Sequence, residues 1–357
     1  MNKPASIICH LLVTATLLLF STYLYATDKQ YGRTINILTW WGYLNYPELI
    51  KKAEKECGVN ISFDEYYSND EFLRRWEGQK DFYDIIIFSD TIYNFVKHKL
   101  PKIKNNNLYK QSLNYNHIIK QHYDNKEYPH NVVYFLQGLT GFLWNPDNLT
   151  LTQNDTITSI FNKARDKFVV IIDDPVEAWK LIEAGFNDHS REIHFNDFTI
   201  KNFNNLIQNS NVYIANNYRK IYKKSEFAFS FSWSGESVVS ALESNKHYQF
   251  LVHPKFSYIS SDLLAQTSID MKSYCVSRFL TNKKTSAFFQ NNNFYFSPYN
   301  QDNMIIKNAS FKKIYMNYLK LLPSLAWTDS ISANNLEKLN RSWQLIKLSL
   351  NNHSGGN

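Results

Sequence analysis

The chain has 357 residues, with 39 Lys plus Arg against 32 Asp plus Glu, and is 44% hydrophobic and 16% aromatic. That content suits a folded globular protein of about two domains and excludes a disordered one. Basic charge is dispersed in short pairs such as Lys51-Lys52, Lys223-Lys224 and Lys312-Lys313, which excludes a nucleic-acid-binding stripe.

Met1-Asn2-Lys3 leads into an apolar stretch from Ile7 to Phe20, followed by Leu24-Tyr25-Ala26 and the polar Thr27-Asp28. A basic start, an apolar middle and a small residue at the cut are the order of a secretory signal peptide, so residues 1–26 are read as one, removed after Ala26. The alternative is an uncleaved anchor, because Leu24 is large for its place before the cut and His10 interrupts the apolar run. Cleavage would leave 38 basic and 32 acidic residues. It would also leave Cys57 and Cys275, which in an exported protein stand either as a disulfide or as two buried thiols.

From Thr34 onward, apolar strands alternate with helices. Ile35–Leu38 reads as a strand, Pro47–Cys57 as a helix ended by Gly58, and Val59–Phe63 as a second strand. Ser68-Asn69-Asp70-Glu71 is a capping box before Phe72–Trp76, and Tyr83–Phe88 is a third strand. This β-α-β-α-β run predicts an α/β fold with a mostly parallel sheet, in which ligands bind beyond the C-terminal strand ends. A second cycle begins near Phe168, with Asp174 beyond its first strand and Phe227–Ser232 as a later strand ending at Trp233. Two lobes facing each other across a cleft, joined by ordered crossings, account for this pattern.

Asp174 and Glu177 lie three apart on the first turn of a helix opened by Pro175, where i and i+3 share a face. The pair is either an anionic site for a cation, held ionised by the helix N-terminus, or ordinary capping by Asp174 with Pro at the first helical position. Nucleotide-binding, nucleophile-elbow and zinc motifs are all missing, and His189 with His194 and His117 with His122 have the wrong spacing for one helix face. Tyr66-Tyr67, at a strand end, are read as packing and rim residues rather than metal ligands.

The chain resembles the polyamine-binding proteins of bacterial ABC importers, the periplasmic spermidine/putrescine receptors. The residues that carry the resemblance are Ile37–Tyr43, Tyr67–Asp70, Tyr83–Ser89, Gly138–Phe142, Asp173–Glu177, Phe231–Gly235 and Phe294–Pro298. It implies the two-lobe, type II-like solute-binding fold with the ligand cleft between lobes. One lobe would comprise residues 27–137 plus 262–305, and the other 138–261 plus 306–357. It further implies that Asp174, Glu177 and Asp262 hold amine groups, that Trp40, Tyr43, Trp233 and Tyr295 wall the alkyl chain, and that Ser89 faces the ligand. Departures are Ser260, where the family has an aromatic wall, and Thr91, where it has a tyrosine; the late Trp-Gln pair has Trp327-Thr328 as its nearest counterpart.

The expected function is therefore an extracytoplasmic polyamine receptor, monomeric and periplasmic. It would close by hinge motion and deliver its ligand to an ABC permease in the inner membrane, without cofactor, metal or nucleic acid and without enzymatic turnover. The type of ligand suits the residue types, since an extended polyammonium chain calls for spaced carboxylates and flat apolar walls. Ser260 and Thr91 leave open a receptor for another cationic or polar solute. A ligand-sensing receptor and an exported hydrolase using Asp174, Glu177 or Asp262 are the readings from other classes.

Overall fold

The computed structural model describes residues 32–103, 107–186, 197–207, 210–215, 227–244, 247–300, 305–328 and 330–354. The expected signal peptide and the pair His189 and His194 lie outside the described residues. Among the described residues, no helix is long and apolar enough to cross a membrane.

In the first lobe, β1 (Thr34–Trp40), β2 (Asn60–Tyr66) and β3 (Ile85–Ser89) are parallel, in the order β2-β1-β3. Every residue of β3 is buried, as expected for a strand covered on both faces. The helix Pro47–Cys57 has the predicted bounds and ends in a left-handed Gly58, whose φ of 62° suits a residue with no Cβ. The helix Asn69–Gln79 is capped by the Ser68 side chain accepting from Glu71 N–H at 3.2 Å. Glu71 returns its carboxylate to Tyr67 N–H, one residue before the position a full capping box would use.

The second lobe repeats this plan. β5 (Phe168–Ile172), β6 (Asn211–Ala215) and β7 (Phe229–Trp233) are parallel, in the order β6-β5-β7. Two long strands join the halves: β4 (Val132–Trp144) and β9 (Tyr258–Gln266) are antiparallel to each other, β9 also to β3 and β4 also to β7. The result is one mixed sheet, β2-β1-β3-β9-β4-β7-β5-β6, with β8 (Gln249–Leu251) on β4 and β10 (Ala326–Trp327) on β9.

Two apolar cores mark the lobes. Along β4 the change falls between Leu139, in the first core, and Phe142, in the second; on the return strand it falls between Tyr258 and Ile259. The β4–β9 ladder ends at Leu139–Ile259. At the next step the Thr140 hydroxyl accepts from Tyr258 N–H at 3.1 Å and donates to Tyr258 C=O at 3.3 Å.

The helix Ala309–Leu321 corrects one expected boundary. Phe311, Ile314, Tyr315 and Tyr318 pack in the first core, so the segment after 306 stays with the first lobe as far as Leu325. The chain then crosses a third time along the waist, with Thr328 N–H donating to Ile259 C=O at 2.7 Å and Ile331 N–H to Thr91 C=O at 2.9 Å. Ile331 then enters the second core, followed by the last helix, Ala333–Ser354, through Leu336, Leu339, Trp343 and Ile346. Cys57 and Cys275 form a disulfide with Cα atoms 5.7 Å apart, tying the helix Pro47–Cys57 to the helix Met271–Thr281. Both helices belong to the first lobe.

Candidate functional site

Strand register assembles one pole of the site. Trp40 ends β1 beside Tyr66 at the end of β2, and Ser89 ends β3 as the direct partner of Asp262 in β9. The Asp262 carboxylate accepts from Trp40 Nε1 at 3.0 Å and from the Tyr43 hydroxyl at 2.5 Å. Each oxygen thus has one donor and retains acceptor capacity for another. Burial pushes the Asp262 carboxyl up to about 6, the Tyr43 and Trp40 donors offsetting part of that rise.

The second lobe supplies the other pole from the loop after β5. Asp174 Oδ1 caps the helix Pro175–Phe186 by accepting from Val176 N–H at 2.9 Å and Glu177 N–H at 3.0 Å. Capping and site-building are therefore the same geometry, since the cap aims Oδ2 at the opposite lobe. There Asn69 Nδ2 donates to it at 3.4 Å. Burial raises the Asp174 carboxyl to about 6 against the pull of its cap bonds. Glu177 is raised well above the usual carboxylate range, first by burial and then by the Asp174 charge. It is 4% exposed, yet its Oε2 has no hydrogen-bond partner among the described residues, and the same holds for the buried Asn69 Oδ1. Asp173, the adjoining acid, turns away to Trp343 Nε1 at 2.8 Å and Lys347 Nζ at 3.1 Å, anchoring the last helix.

Between these poles lies a cavity of about 420 Å³. All eight residues singled out from the sequence line it: Trp40, Tyr43, Ser89, Asp174, Glu177, Trp233, Asp262 and Tyr295. The Trp40 and Trp233 rings approach across the lobes at 6.4 Å, and those of Tyr43 and Tyr295 lie 5.4 Å apart. Tyr66 is buried, with its hydroxyl on Ile87 C=O at 2.7 Å, while exposed Tyr67 stacks on Trp41 at the mouth. Ser260 and Gly138 form a stretch of wall with almost no side chain, since a Cβ on Gly138 would stand 2.7 Å from Ser260 Oγ.

Three residues stand apart from these expectations. Thr91 is buried under the waist, its hydroxyl 2.9 Å from that of Ser89, and Trp327 stacks on His122 at 3.9 Å, so neither lines the cavity. Glu236, which the sequence did not single out, does line it. It stands in the first turn of the helix Ser234–Ser244, where an acid reads as a complement to the helix dipole. Among the described lining residues there are four carboxylates, Asp174, Glu177, Glu236 and Asp262, and no lysine or arginine. In a chain of net charge +7, that segregation sets a local field of the opposite sign.

No protein-family model matches the chain, and no curated protein matches it. The architecture is nonetheless defined: it is the two-lobe α/β fold of periplasmic solute-binding proteins. A spermidine/putrescine ABC transporter substrate-binding protein, PotD, from Streptococcus pneumoniae is similar with a TM-score of 0.71 at 15% identity, over 89% of this chain and 100% of that one. The PotD lipoprotein of Treponema pallidum is similar with a TM-score of 0.69 at 16% identity, over 88% and 99%. The GacH receptor of Streptomyces glaucescens, solved unliganded and with acarbose, gives 0.70 at 10% identity over 90% and 94%. At these identities the likeness fixes the fold, and the choice of ligand rests on the chemistry of the cavity.

Proposed function

We propose that this chain is an extracytoplasmic receptor for a polyamine, closing on it by hinge motion and delivering it to an ABC importer in the membrane. The observation that carries the reading is a surplus of acceptors. Glu177 Oε2 and Asn69 Oδ1 are buried with no donor among the described residues, in a cavity with four carboxylates and no lysine or arginine. Buried acceptors left unpaired cost about 1–3 kcal/mol each, and the complementary group is one that donates only. An ammonium has three donors and no acceptor. A carboxylate-bearing solute finds no matching cation among the lining residues. The indoles of Trp40 and Trp233 and the phenols of Tyr43 and Tyr295 suit the methylene segments between ammonium groups, each aromatic–ammonium contact adding about 0.5–2 kcal/mol.

Calorimetry with putrescine, spermidine and spermine, beside neutral diols of matching length, tests the reading. Saturable binding of at least one amine and none of the diols is expected. A folded protein that binds none of the amines removes the ligand claim. The bare wall at Gly138 and Ser260 favours a second reading, a receptor for a bulkier cationic solute. A thermal-shift screen separates the two, because the true ligand raises the melting temperature with its concentration.

A further inference from the structure

The amine reading leaves one carboxylate without a role. Glu236 follows Gly235, where the second lobe packs closely on the first. A Cβ there would stand 2.4 Å from the Tyr295 ring and 2.7 Å from Asn293 C=O. The first turn of the helix Ser234–Ser244 is therefore pressed against Tyr295 and against the end of the helix Lys283–Asn293. Asn292 and Asn293 line the cavity there, together with Glu236 and Val239. A helix C-terminus carries partial negative charge from its last carbonyls, so this corner combines a carboxylate with the negative pole of an 11-residue helix. Asn293 is also fixed in place, its Oδ1 accepting from the Tyr46 hydroxyl and its Nδ2 donating to Tyr43 C=O at 3.4 Å.

Trp233 joins this corner to the Asp174–Glu177 pole, its side chain hydrogen-bonded to Glu177 and its place in the chain three residues before Glu236. That the cavity as a whole takes a ligand is supported independently by Glu177, 4% exposed with an oxygen that has no partner among the described residues.

Resting on the amine reading, we propose that Glu236 is a specificity-determining residue. With the C-terminal end of the helix Lys283–Asn293 it forms a further ammonium subsite, which selects amines with three or more ammonium groups over diamines. A diamine spans the Asp262 pole and the Asp174–Glu177 pole and leaves this corner empty. A triamine reaches it with its additional ammonium.

The test is calorimetric titration of the chain and its Glu236→Gln and Glu177→Gln variants with spermidine and with putrescine, after circular dichroism and a single cooperative melting transition confirm folding. For Glu236→Gln, spermidine affinity is expected to fall about tenfold, which is about 1.4 kcal/mol, with putrescine changed less than twofold. Glu177→Gln is expected to weaken both ligands. Equal losses for both amines in Glu236→Gln, no loss for spermidine, or a wild type that prefers putrescine would overturn the assignment while leaving an amine receptor. A wild type that binds neither amine would sink both readings together.

Discussion

Asn69 and Asp174, on opposite lobes, face each other across the mouth of the cavity with Nδ2 and Oδ2 3.4 Å apart. The amide links the lobes while its own Oδ1 has no partner among the described residues. It is thus positioned to join a ligand donor and a closing contact in one side chain. Asn69→Ala removes both. Amine affinity is expected to fall by about five- to tenfold, through faster dissociation rather than slower association, and stopped-flow fluorescence of the cavity tryptophans reads the two rates separately.

Asp262 sets function against stability. Its carboxyl is buried and raised to about 6, so at neutral pH the fold carries a desolvated charge that the Trp40 and Tyr43 donors offset only in part and that the proposed ligand would neutralise. Asp262→Asn keeps an acceptor for Trp40 and removes the charge. Amine binding is expected to weaken at least tenfold, about 1.4 kcal/mol, while the unliganded protein melts a few degrees higher at pH 7.5. Scanning calorimetry with and without amine checks both.

Acidity should act on the unliganded and liganded states in opposite directions. Asp262 and Asp174 are each raised to about 6 in the fold, against about 3.9 for an unfolded aspartate. A raised carboxyl contributes stability that is fully present below pH 4 and is lost as pH rises through 6. For Asp262 the loss is at most about 3 kcal/mol. The ammonium ligand favours the ionised acids, so its affinity is expected to rise as pH climbs from 5 to 7, with protons released on binding. Titrations in buffers of different ionisation enthalpy count those protons.

Reducing the Cys57–Cys275 bridge, which spans 218 positions, is expected to lower stability by roughly 2–5 kcal/mol. Both partners lie in one lobe, so amine affinity well below the melting temperature should change less than twofold. Denaturant titration and calorimetry on a Cys57→Ser, Cys275→Ser variant measure the two effects.

Much of this was legible from periodicity and caps. Pro47–Cys57 with Gly58 declared a helix and its end, and Asp174-Pro175 declared a helix start just beyond the Phe168–Ile172 strand. Resemblance to a family brought the eight lining residues together where spacing alone does not. The rest depended on tertiary context. Asp173 and Asp174 are alike as sequence, and only the fold sends one to Lys347 and the other to the cavity. The apolar face of the helix Ala309–Leu321 announces burial without saying against which lobe, so the boundary at 306 fell too early. Glu236 resembled any acid in a first helical turn until Gly235 proved to be wedged against Tyr295.

At the waist, peptide pairing between β4 and β9 gives way to a single threonine hydroxyl, Thr140, held by both polar groups of Tyr258. Under the proposed closure such a joint would serve as a seam, one side-chain link standing where a ladder rung would otherwise have to break. Bending there would leave the rungs on either side paired and bring the acids of one half back opposite those of the other.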